Sequence, residues 1–242
     1  MTTVESLVAD LRRLGVRAGD IVMVHASMRR VGGQAHDLIT ALDEAVGDTG
    51  TVMMTLGADD EQAPFEADRT PADPDIGVLA ETFRTTAGTV VSDHPEGRFG
   101  ARGALAVALT SDVPWNDYYG AGSPLERLVQ HRGSVLRLGA DPDTVTLYHY
   151  AENLADVADK IRVVRMPLVR TADGGTATVR VECLDDSDGI RPWDGDDYFA
   201  DITRAYLATG RPTIGRVGGA IAERFDAADV VAFATRWIET NL

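Results

Sequence analysis

The sequence predicts an α/β fold in which helices cover a β-sheet, and three observations lead to this prediction. Short apolar runs that are typical of buried strands alternate with segments of helical spacing over the first 55 residues. The chain has 242 residues, 44% of them hydrophobic, which is enough for a sizeable core. Apolar runs recur to the C-terminus without a linker or an internal repeat, so we expect one domain over residues 1–242.

The first 55 residues carry the clearest alternation. Apolar residues at helical spacing predict a helix over residues 4–14, and Gly15 follows as a stop signal. Residues 20–25 and 50–55 are continuous apolar runs, which predict two buried strands. The segment between them, residues 37–46, again has helical spacing. This β–α–β order favours a sheet that is covered by helices.

The middle of the chain continues this pattern after an irregular segment. Residues 57–75 contain three prolines and many acidic residues, which predicts a loop. A helix is expected over residues 77–86 and a strand end over residues 90–92. Ser123 followed by Pro124 is a helix-start signal, and residues 134–139 form another strand-like run.

The last hundred residues predict three helices and one hairpin. A helix is expected over residues 146–158, and residues 161–169 and 176–183 are strand-like runs around the turn residues 173–175. Two further helices are expected over residues 198–208 and 226–239, and a tight, glycine-rich stretch lies between them at residues 215–220.

The charge of the chain is strongly acidic and locally concentrated. Asp and Glu outnumber Lys and Arg by 38 to 23, for a net charge of −15. Residues 57–75 hold seven acidic residues and one arginine, and residues 182–201 hold eight acidic residues and one arginine. Proteins that bind nucleic acids or anionic membranes present a basic surface, so we expect neither partner here.

Cysteine usage and the N-terminus bear on compartment. Cys183 is the only cysteine, which excludes an intrachain disulfide and a multi-thiolate zinc site. The first residues are polar and have no signal-peptide pattern, and no apolar stretch reaches the ~18 residues that span a membrane. We therefore expect a soluble, cytoplasmic protein.

The strongest local feature is the spacing of Thr146, His149 and Glu152, which places them near one face of a helix. A carboxylate one turn from a histidine fixes its tautomer and raises its basicity, which produces a general base near neutral pH. The alternative is an ordinary amphipathic helix with a hydrogen-bonded histidine. A metal site would need a third ligand, which His94 or His25 would have to supply.

Two further segments favour ligand binding. Residues 24–33 read as a strand followed by arginines and glycines, which is typical of a phosphate-binding loop, although a β–α turn with surface arginines is the simpler alternative. Arg30, Gly33 and Ala35 also fit the loose pattern of GNAT acetyltransferases. Residues 92–103 combine His, Arg and Phe in a glycine-rich stretch, which suits either a ligand-lining loop or a structural turn.

Taken together and in chain order, these segments resemble the aminoglycoside 3-N-acetyltransferase family. The resemblance covers nearly the whole chain, and the block from Asp143 through Thr146 and His149 to Glu152 is its most specific part. The matching segments are residues 24–32, 50–55, 92–103, 119–125, 138–139, 143–152, 217–220 and 231–237.

The resemblance implies a single-domain α/β fold with a central mixed sheet flanked by helices, distinct from the GNAT fold. It also implies direct transfer of acetyl from acetyl-CoA to the 3-amino group of a 2-deoxystreptamine aminoglycoside, without a metal, as an antibiotic-resistance activity. His149 is then the general base, Glu152 orients it, and Thr146 stabilises the developing oxyanion.

The same resemblance implies a coenzyme A site in the first third of the chain. The residues expected to hold acetyl-CoA are His25, Ala26, Ser27, Met28, Arg29, Arg30, Val31, Gly32, Ser92 and Phe99. The family often has a second hydroxyl residue at position 26, and Ala26 removes that hydrogen bond.

Aminoglycosides are polycations, so the two acidic segments are expected to wall a cleft for the substrate. The residues expected to bind it are Asp59, Asp60, Glu61, Asp143, Glu152, Asp186 and Asp188. Two alternatives stay open: an acetyltransferase of the same fold that acts on a different amine, and a non-catalytic relative that binds coenzyme A or a cationic drug. The sequence leaves both a monomer and a homodimer open.

Overall fold

The computed structural model of the protein describes residues 2–59, 64–195 and 197–242, and over these ranges it is a mixed α/β structure. Its α-helices are α1 (Val4–Arg13), α2 (Met28–Val31), α3 (Ala35–Val46), α4 (Val78–Thr85), α5 (Ala106–Thr110), α6 (Pro124–Gln130), α7 (Tyr148–Leu154), α8 (Tyr198–Ala208) and α9 (Ala227–Asn241). Its strands are β1 (Ile21–Ala26), β2 (Thr51–Thr55), β3 (Val90–Val91), β4 (Phe99–Gly103), β5 (Ser134–Leu138), β6 (Arg162–Arg165), β7 (Leu168–Arg170), β8 (Thr176–Thr178), β9 (Val181–Leu184), β10 (Thr213–Val217) and β11 (Ala220–Asp226).

A seven-stranded mixed sheet forms the centre, in the order β10-β11-β5-β1-β2-β4-β3. The middle strand β1 pairs in parallel with β2 and β5, and the outer pairs are antiparallel. The three parallel strands end at Ala26, Thr55 and Leu138, so their carboxyl ends meet at one edge. Ligands of α/β sheets bind at such an edge.

Helices cover both faces of this sheet because side chains alternate along each strand. On β1, Met23 packs into the cluster that contains α5 to α9, whereas Val22 and Val24 pack with α1, α3 and α4 on the opposite face. The predicted α/β fold with a central mixed sheet flanked by helices is confirmed. The count of one domain over residues 1–242 stays a prediction.

Two small sheets lie outside the central one and together form the predicted hairpin, with one interruption. Strand β6 pairs with β9 and β7 pairs with β8, both antiparallel and in the same register, so the runs at 161–169 and 176–183 face each other as two short two-stranded sheets. Pro167 lies between β6 and β7 and has no N–H to donate to a ladder. Its carbonyl instead accepts a hydrogen bond from the Val179 N–H at 3.0 Å.

The glycine-rich stretch at 215–220 contains a hairpin that the sequence did not predict. The turn between β10 and β11 consists of Gly218 and Gly219, and it lies directly against Val31. Gly218 has a φ of +57°, and a Cβ atom there would lie 2.4 Å from the Val31 carbonyl oxygen. Only glycine fits this close approach, so the two glycines form the turn that joins β10 to β11.

Arg98 anchors the acidic loop 57–75 to the sheet. Its side chain is fully buried and donates to four carbonyl oxygens of that loop, at Gly57, Ala67, Thr70 and Pro71, over distances of 2.6 to 3.2 Å. Its guanidinium also lies over the Phe65 ring, 5.3 Å from the ring centroid. The sequence left the segment around Arg98 open between a ligand-lining loop and a structural turn, and the structure gives Arg98 an internal supporting position.

Replacing Arg98 by methionine is expected to lower the free energy of unfolding by about 3 kcal/mol, because four partly or fully buried carbonyl acceptors lose a charged donor. In a chain of this size that corresponds to a fall in Tm of roughly 10 °C, which a thermal denaturation experiment measures. The matched control is Arg69→Met in the same loop, because the Arg69 side chain is 81% exposed and pairs only with Glu66 at 3.3 Å among the described contacts. An equal loss of stability in both variants would contradict the anchoring role.

Candidate active site

His149 and Glu152 form a hydrogen-bonded pair on one face of helix α7. Nδ1 of His149 lies 2.8 Å from Oε2 of Glu152, one helical turn away. A helix was predicted over residues 146–158, but α7 begins only at Tyr148. Thr146 therefore lies in the turn that precedes the helix. The Thr146 carbonyl accepts the His149 N–H at 3.1 Å, which keeps the three side chains together.

The Glu152 carboxylate is almost fully enclosed, with a side-chain exposure of 1%. Oε2 contacts His149, and Oε1 accepts a hydrogen bond from the phenol of Tyr198. The Lys160 ammonium donates to the Glu152 carbonyl at 2.7 Å, at the end of the same helix. Because an ionised carboxylate accepts but does not donate, Nδ1 of His149 carries the proton of this pair.

Two aromatic rings fix the plane of the His149 imidazole. Tyr119 stacks on it with ring centroids 4.8 Å apart and an interplanar angle of 7°, and Phe199 meets it edge-on at 4.8 Å. With Nδ1 held by Glu152, Nε2 is the nitrogen that a ligand can reach. Burial lowers the pKa of His149, but the charge and hydrogen bond of Glu152, with the charges of Asp186 and Asp197, outweigh it and raise that pKa above its ordinary value.

An acidic cavity of about 360 Å³ opens on one side of His149. Five carboxylates line it, and its described lining residues include neither lysine nor arginine. The carboxylates belong to Asp143, Glu152, Asp186, Asp188 and Asp197. Trp193 and Phe199 add aromatic surface. Such a cavity attracts a small polycation and offers charge-assisted hydrogen bonds to its ammonium groups.

A second cavity of about 390 Å³ also has His149 in its wall and lies at the carboxyl ends of β1 and β2. Its wall is mainly apolar and includes Val24, Ala26, Met54, Leu79 and Ala80. An apolar slot at this edge of a parallel sheet suits an extended, largely uncharged chain such as the pantetheine arm of coenzyme A.

The two cavities meet at four residues that line both, namely Thr144, Thr146, His149 and Asp186. A group that enters from the acidic side and a group that enters from the apolar side therefore reach the same histidine. Of the predicted set, Thr146 and His149 lie at this junction, and Glu152 lines the acidic cavity beside it. The sequence did not predict that Asp186, from the second acidic segment, also lies there.

Asp186 is held at the junction by residues that sequence reasoning missed. Arg165 on β6 pairs with Oδ1 of Asp186, and the Tyr118 hydroxyl donates to Oδ2 at 2.6 Å. Burial raises the pKa of Asp186, but the hydrogen bond from Arg165 and the neighbouring charges outweigh it and lower that pKa. Asp186 is therefore ionised at neutral pH.

The predicted acetyl-CoA residues of the first third of the chain have different surroundings. His25 and Ala26 line the apolar cavity, whereas Val31 is buried in the core. Met28 and Arg29 belong to α2, and Ser27 and Gly32 flank that helix. Arg30 donates to Gly139 and Asp141 of the β5–α7 connection. His25 is buried, and burial together with the charge of Arg137 lowers its pKa to about 4, so it is neutral at physiological pH.

Ser92 and Phe99 lie inside the protein. The Ser92 hydroxyl accepts the Phe99 N–H at 2.8 Å, which joins β3 to β4. The Phe99 ring packs edge-on against Tyr119, with ring centroids 6.0 Å apart. Their described contacts support Tyr119 beneath the His149 ring, and a direct contact of these two residues with acetyl-CoA stays a prediction.

The two acidic segments differ in how they reach the site. The second segment supplies Asp186 and Asp188 to the acidic cavity, to which Asp143 also belongs. In the first segment Asp59 is not among the described residues that line the two cavities, and Asp60 and Glu61 lie outside the described residues. The first segment does supply Asp75, which lies with Ile76 at the mouth of the apolar cavity.

Two kinds of feature are absent from the described residues, a metal-binding cluster and a membrane-spanning helix. Within residues 2–59, 64–195 and 197–242, no three or more His, Cys, Asp or Glu side chains are grouped so that they could hold a metal ion. Over the same part of the chain, none of the helices has the length and apolar character that crossing a membrane requires.

Comparison with known proteins gives a consistent result over the whole chain. A family model for Aminoglycoside 3-N-acetyltransferase matches residues 23–239. The chain is 38% identical to aminoglycoside N(3)-acetyltransferase III of Serratia marcescens, over all of this chain and 98% of that protein. Among solved structures it is similar to AAC-IIIb in a binary complex with CoASH, with a TM-score of 0.94, 38% identity, and coverage of 99% of this chain and 97% of that one. AAC-VIa bound to sisomicin gives a TM-score of 0.92 at 36% identity, over 98% and 97% of the two chains.

Proposed function

The chain belongs to the aminoglycoside 3-N-acetyltransferase family, and from this premise we propose that His149 is the general base for a direct transfer of acetyl from acetyl-CoA to the 3-amino group of a 2-deoxystreptamine aminoglycoside. The observation that carries the proposal is that His149 lies where an acidic and an apolar cavity meet. A polycationic acceptor in the first cavity and a pantetheine-bound donor in the second then both reach one histidine.

The proposed chemistry follows from the protonation state of the pair. Glu152 holds the proton of His149 on Nδ1, which leaves the Nε2 lone pair to accept a proton from the acceptor amine. The amine attacks the thioester carbonyl carbon in its neutral form, and Nε2 takes the proton that the nitrogen loses as the C–N bond forms. As the C–S bond breaks, the proton on Nε2 passes to the departing sulfur, and free coenzyme A and the acetylated amine result.

Thr146 is the residue we propose for stabilisation of the oxyanion. It lines both cavities beside His149, so its hydroxyl is close to the place where the two substrates meet. A hydroxyl that is fixed before the reaction can donate to the carbonyl oxygen as negative charge develops there. Transfer is direct because the only cysteine, Cys183, is buried and contacts Tyr118 and Arg165.

The aminoglycoside is proposed to occupy the acidic cavity and acetyl-CoA the apolar one. Asp143, Asp186 and Asp188 face the first cavity, where each can pair with an ammonium group. Val24, Ala26 and Leu79 give the second cavity the apolar wall that suits pantetheine. Solved relatives include one bound to CoASH and one bound to sisomicin, which supports both halves of this proposal.

A thiol-release assay with acetyl-CoA tests the proposed function. We expect coenzyme A to be released only when a 2-deoxystreptamine aminoglycoside with a free 3-amino group is present, and the NMR spectrum of the product to show acetylation at that nitrogen. Aminoglycosides already acetylated there serve as the matched control acceptors. Release with unrelated amines alone would favour an acetyltransferase for another substrate, and binding without release would favour a non-catalytic relative.

The pH dependence of turnover is expected to reflect the raised pKa of His149. Protonated His149 cannot act as a base, so kcat should fall as pH decreases through a value above the ordinary histidine pKa of about 6.5. Glu152→Gln removes the charge that raises this pKa, so the acidic limb should move to lower pH. We expect kcat at its plateau to fall by about tenfold, less than for the loss of His149 itself.

The control for this measurement is Glu239→Gln, which removes a carboxylate from helix α9 where it accepts the Asp156 N–H at 3.0 Å, outside the two cavities. Its pH profile should match that of the wild type. An acidic limb that stays in place in Glu152→Gln would contradict the assignment of the limb to the His149–Glu152 pair.

A further inference from the structure

The phenol of Tyr198 lies between the backbone of Ile190, in the second acidic segment, and the His149–Glu152 pair. Its hydroxyl accepts the Ile190 N–H at 3.0 Å and donates to Oε1 of Glu152. Oε2 of the same carboxylate contacts Nδ1 of His149 at 2.8 Å. Three consecutive hydrogen bonds therefore connect the backbone of the acidic loop, residues 185–197, to the imidazole.

The position of Tyr198 is built into the fold. Tyr198 is the first residue of α8, where the Asp197 side chain accepts the Phe199 N–H at 2.6 Å and caps the helix. The Tyr198 side chain is buried, and Gly189 lies so close that a Cβ atom at that position would be 2.6 Å from the tyrosine ring. Gly189 also has a φ of +88°, so the loop turns tightly around the phenol.

We propose that Tyr198 is a positioning residue that fixes the Glu152 carboxylate and couples the acidic substrate loop to the proposed base, an inference that rests on the role of His149 given above. Donors at both oxygens fix the plane of the Glu152 carboxylate; without the phenol the Oε2 contact to His149 remains, but the plane of the carboxylate is free to turn about it. The same phenol fixes the loop backbone at Ile190, so the loop that carries Asp186 and Asp188 keeps its place relative to His149.

Tyr198 also controls how strongly Glu152 acts on His149. A hydrogen bond to the charged form of a carboxylate withdraws part of its negative charge, so loss of the phenol should strengthen the attraction between Glu152 and protonated His149. Burial raises the pKa of Tyr198, which keeps it a donor throughout the physiological range. Among the described residues, Asp186 and Asp197 also act on His149, Lys160 lies near Glu152, and Asp143 and Asp188 line the same cavity; the substitutions below leave all five in place.

The test is Tyr198→Phe, which deletes the hydroxyl and keeps the ring. We expect kcat to fall by about tenfold and its acidic limb to move to higher pH, opposite in direction to the shift in Glu152→Gln. The matched control is Tyr148→Phe, because Tyr148 is also fully buried and packs edge-on against Phe199 at 5.2 Å, but its hydroxyl contacts Thr203 at 3.0 Å rather than Glu152. The control should leave the acidic limb in place.

The outcomes separate this inference from the function on which it rests. If Glu152→Gln moves the limb and folded Tyr198→Phe does not, the positioning role is wrong and the base assignment stands. If neither variant moves the limb, the base assignment itself fails. If Tyr198→Phe does not fold, 3-fluorotyrosine incorporated at position 198 supplies a stronger donor of nearly the same shape, and the limb should then move to lower pH. An unchanged limb with fluorotyrosine would overturn the proposal.

Discussion

Replacing His149 by alanine is expected to lower kcat by about 10²- to 10⁴-fold, because a positioned general base typically contributes that much. The acceptor amine would then lose its proton only to solvent water. Binding of acetyl-CoA should change little, since the imidazole is one of fifteen residues that line the apolar cavity. Turnover is measured by thiol release at saturating substrates, and acetyl-CoA binding is measured by calorimetry.

The stacking geometry of His149 supplies a second readout for the same variant. The alanine substitution leaves a slot between Tyr119 and Phe199, whose rings lie 4.8 Å from the imidazole on two sides. Free imidazole is expected to enter this slot and restore part of the turnover, with a pH dependence set by its own pKa. The control is His131→Ala, a histidine exposed at the end of α6. Near-normal turnover in His149→Ala would overturn the base assignment.

Local sequence patterns were sufficient for most of the helices and for the three parallel strands. Helix α1, for example, has Leu7, Val8 and Leu11 on its buried face and Thr3 as its cap, and all four residues lie within nine positions. Strand β1 is a continuous apolar run that lies between two neighbours. These elements were predictable because the features that specify each one are close together in the chain.

Strands β4, β10 and β11 could not be predicted in the same way, because distant contacts specify them. Strand β4 contains Gly100 and Arg102, and it pairs with β2, which lies about fifty residues earlier. Arg102 lies outside the core and reaches Asp43 on α3 at 2.9 Å. No local periodicity of apolar residues marks such a segment, and the glycine-rich hairpin of β10 and β11 depends on the approach of Val31 in the same way.

In the candidate site, too, the residues specified by local sequence could be predicted and those specified by distant contacts could not. The pairing of His149 with Glu152 could be predicted because both residues lie one turn apart on one helix. The residues that complete the site come from other parts of the chain: Asp186, which its acidic segment had predicted as a substrate residue, and Tyr119, Arg165 and Tyr198, whose roles were not predicted. Nothing in the local sequence around Arg165 or Tyr198 distinguishes them from surface or core residues, because their partners lie 21 and 46 positions away.

The acidic composition acquires a more specific meaning in the structure. Much of the charge of the second segment is used inside the site, where Asp186 and Asp188 face the acidic cavity. The first segment is held by hydrogen bonds from the buried Arg98, and its Asp75 lines the apolar cavity. Net charge alone predicts attraction of a cation, but only the arrangement of the loops determines which carboxylates a substrate can reach.

Replacing Asp186 by asparagine is expected to raise the KM for an aminoglycoside by about 10- to 100-fold, because a hydrogen bond between charged groups contributes roughly 1.5–3 kcal/mol. Asp186 lines both cavities, and Arg165 and Tyr118 prevent it from moving to pair elsewhere. The uncharged amide also removes one of the two carboxylates that pair with the Arg165 guanidinium, which leaves its positive charge less compensated close to the substrate.

The electrostatic origin of this effect is tested with salt and with a matched surface variant. The KM of the wild type should rise with ionic strength, and that of Asp186→Asn should rise less steeply, because one attractive charge is missing. Asp156→Asn makes the same chemical change at an exposed position after α7 and should leave the KM unaltered. The penalty should also decrease for acceptors with fewer ammonium groups. An unchanged aminoglycoside KM in Asp186→Asn, or an equal rise in the KM for acetyl-CoA, would show that this carboxylate does not select the cationic substrate.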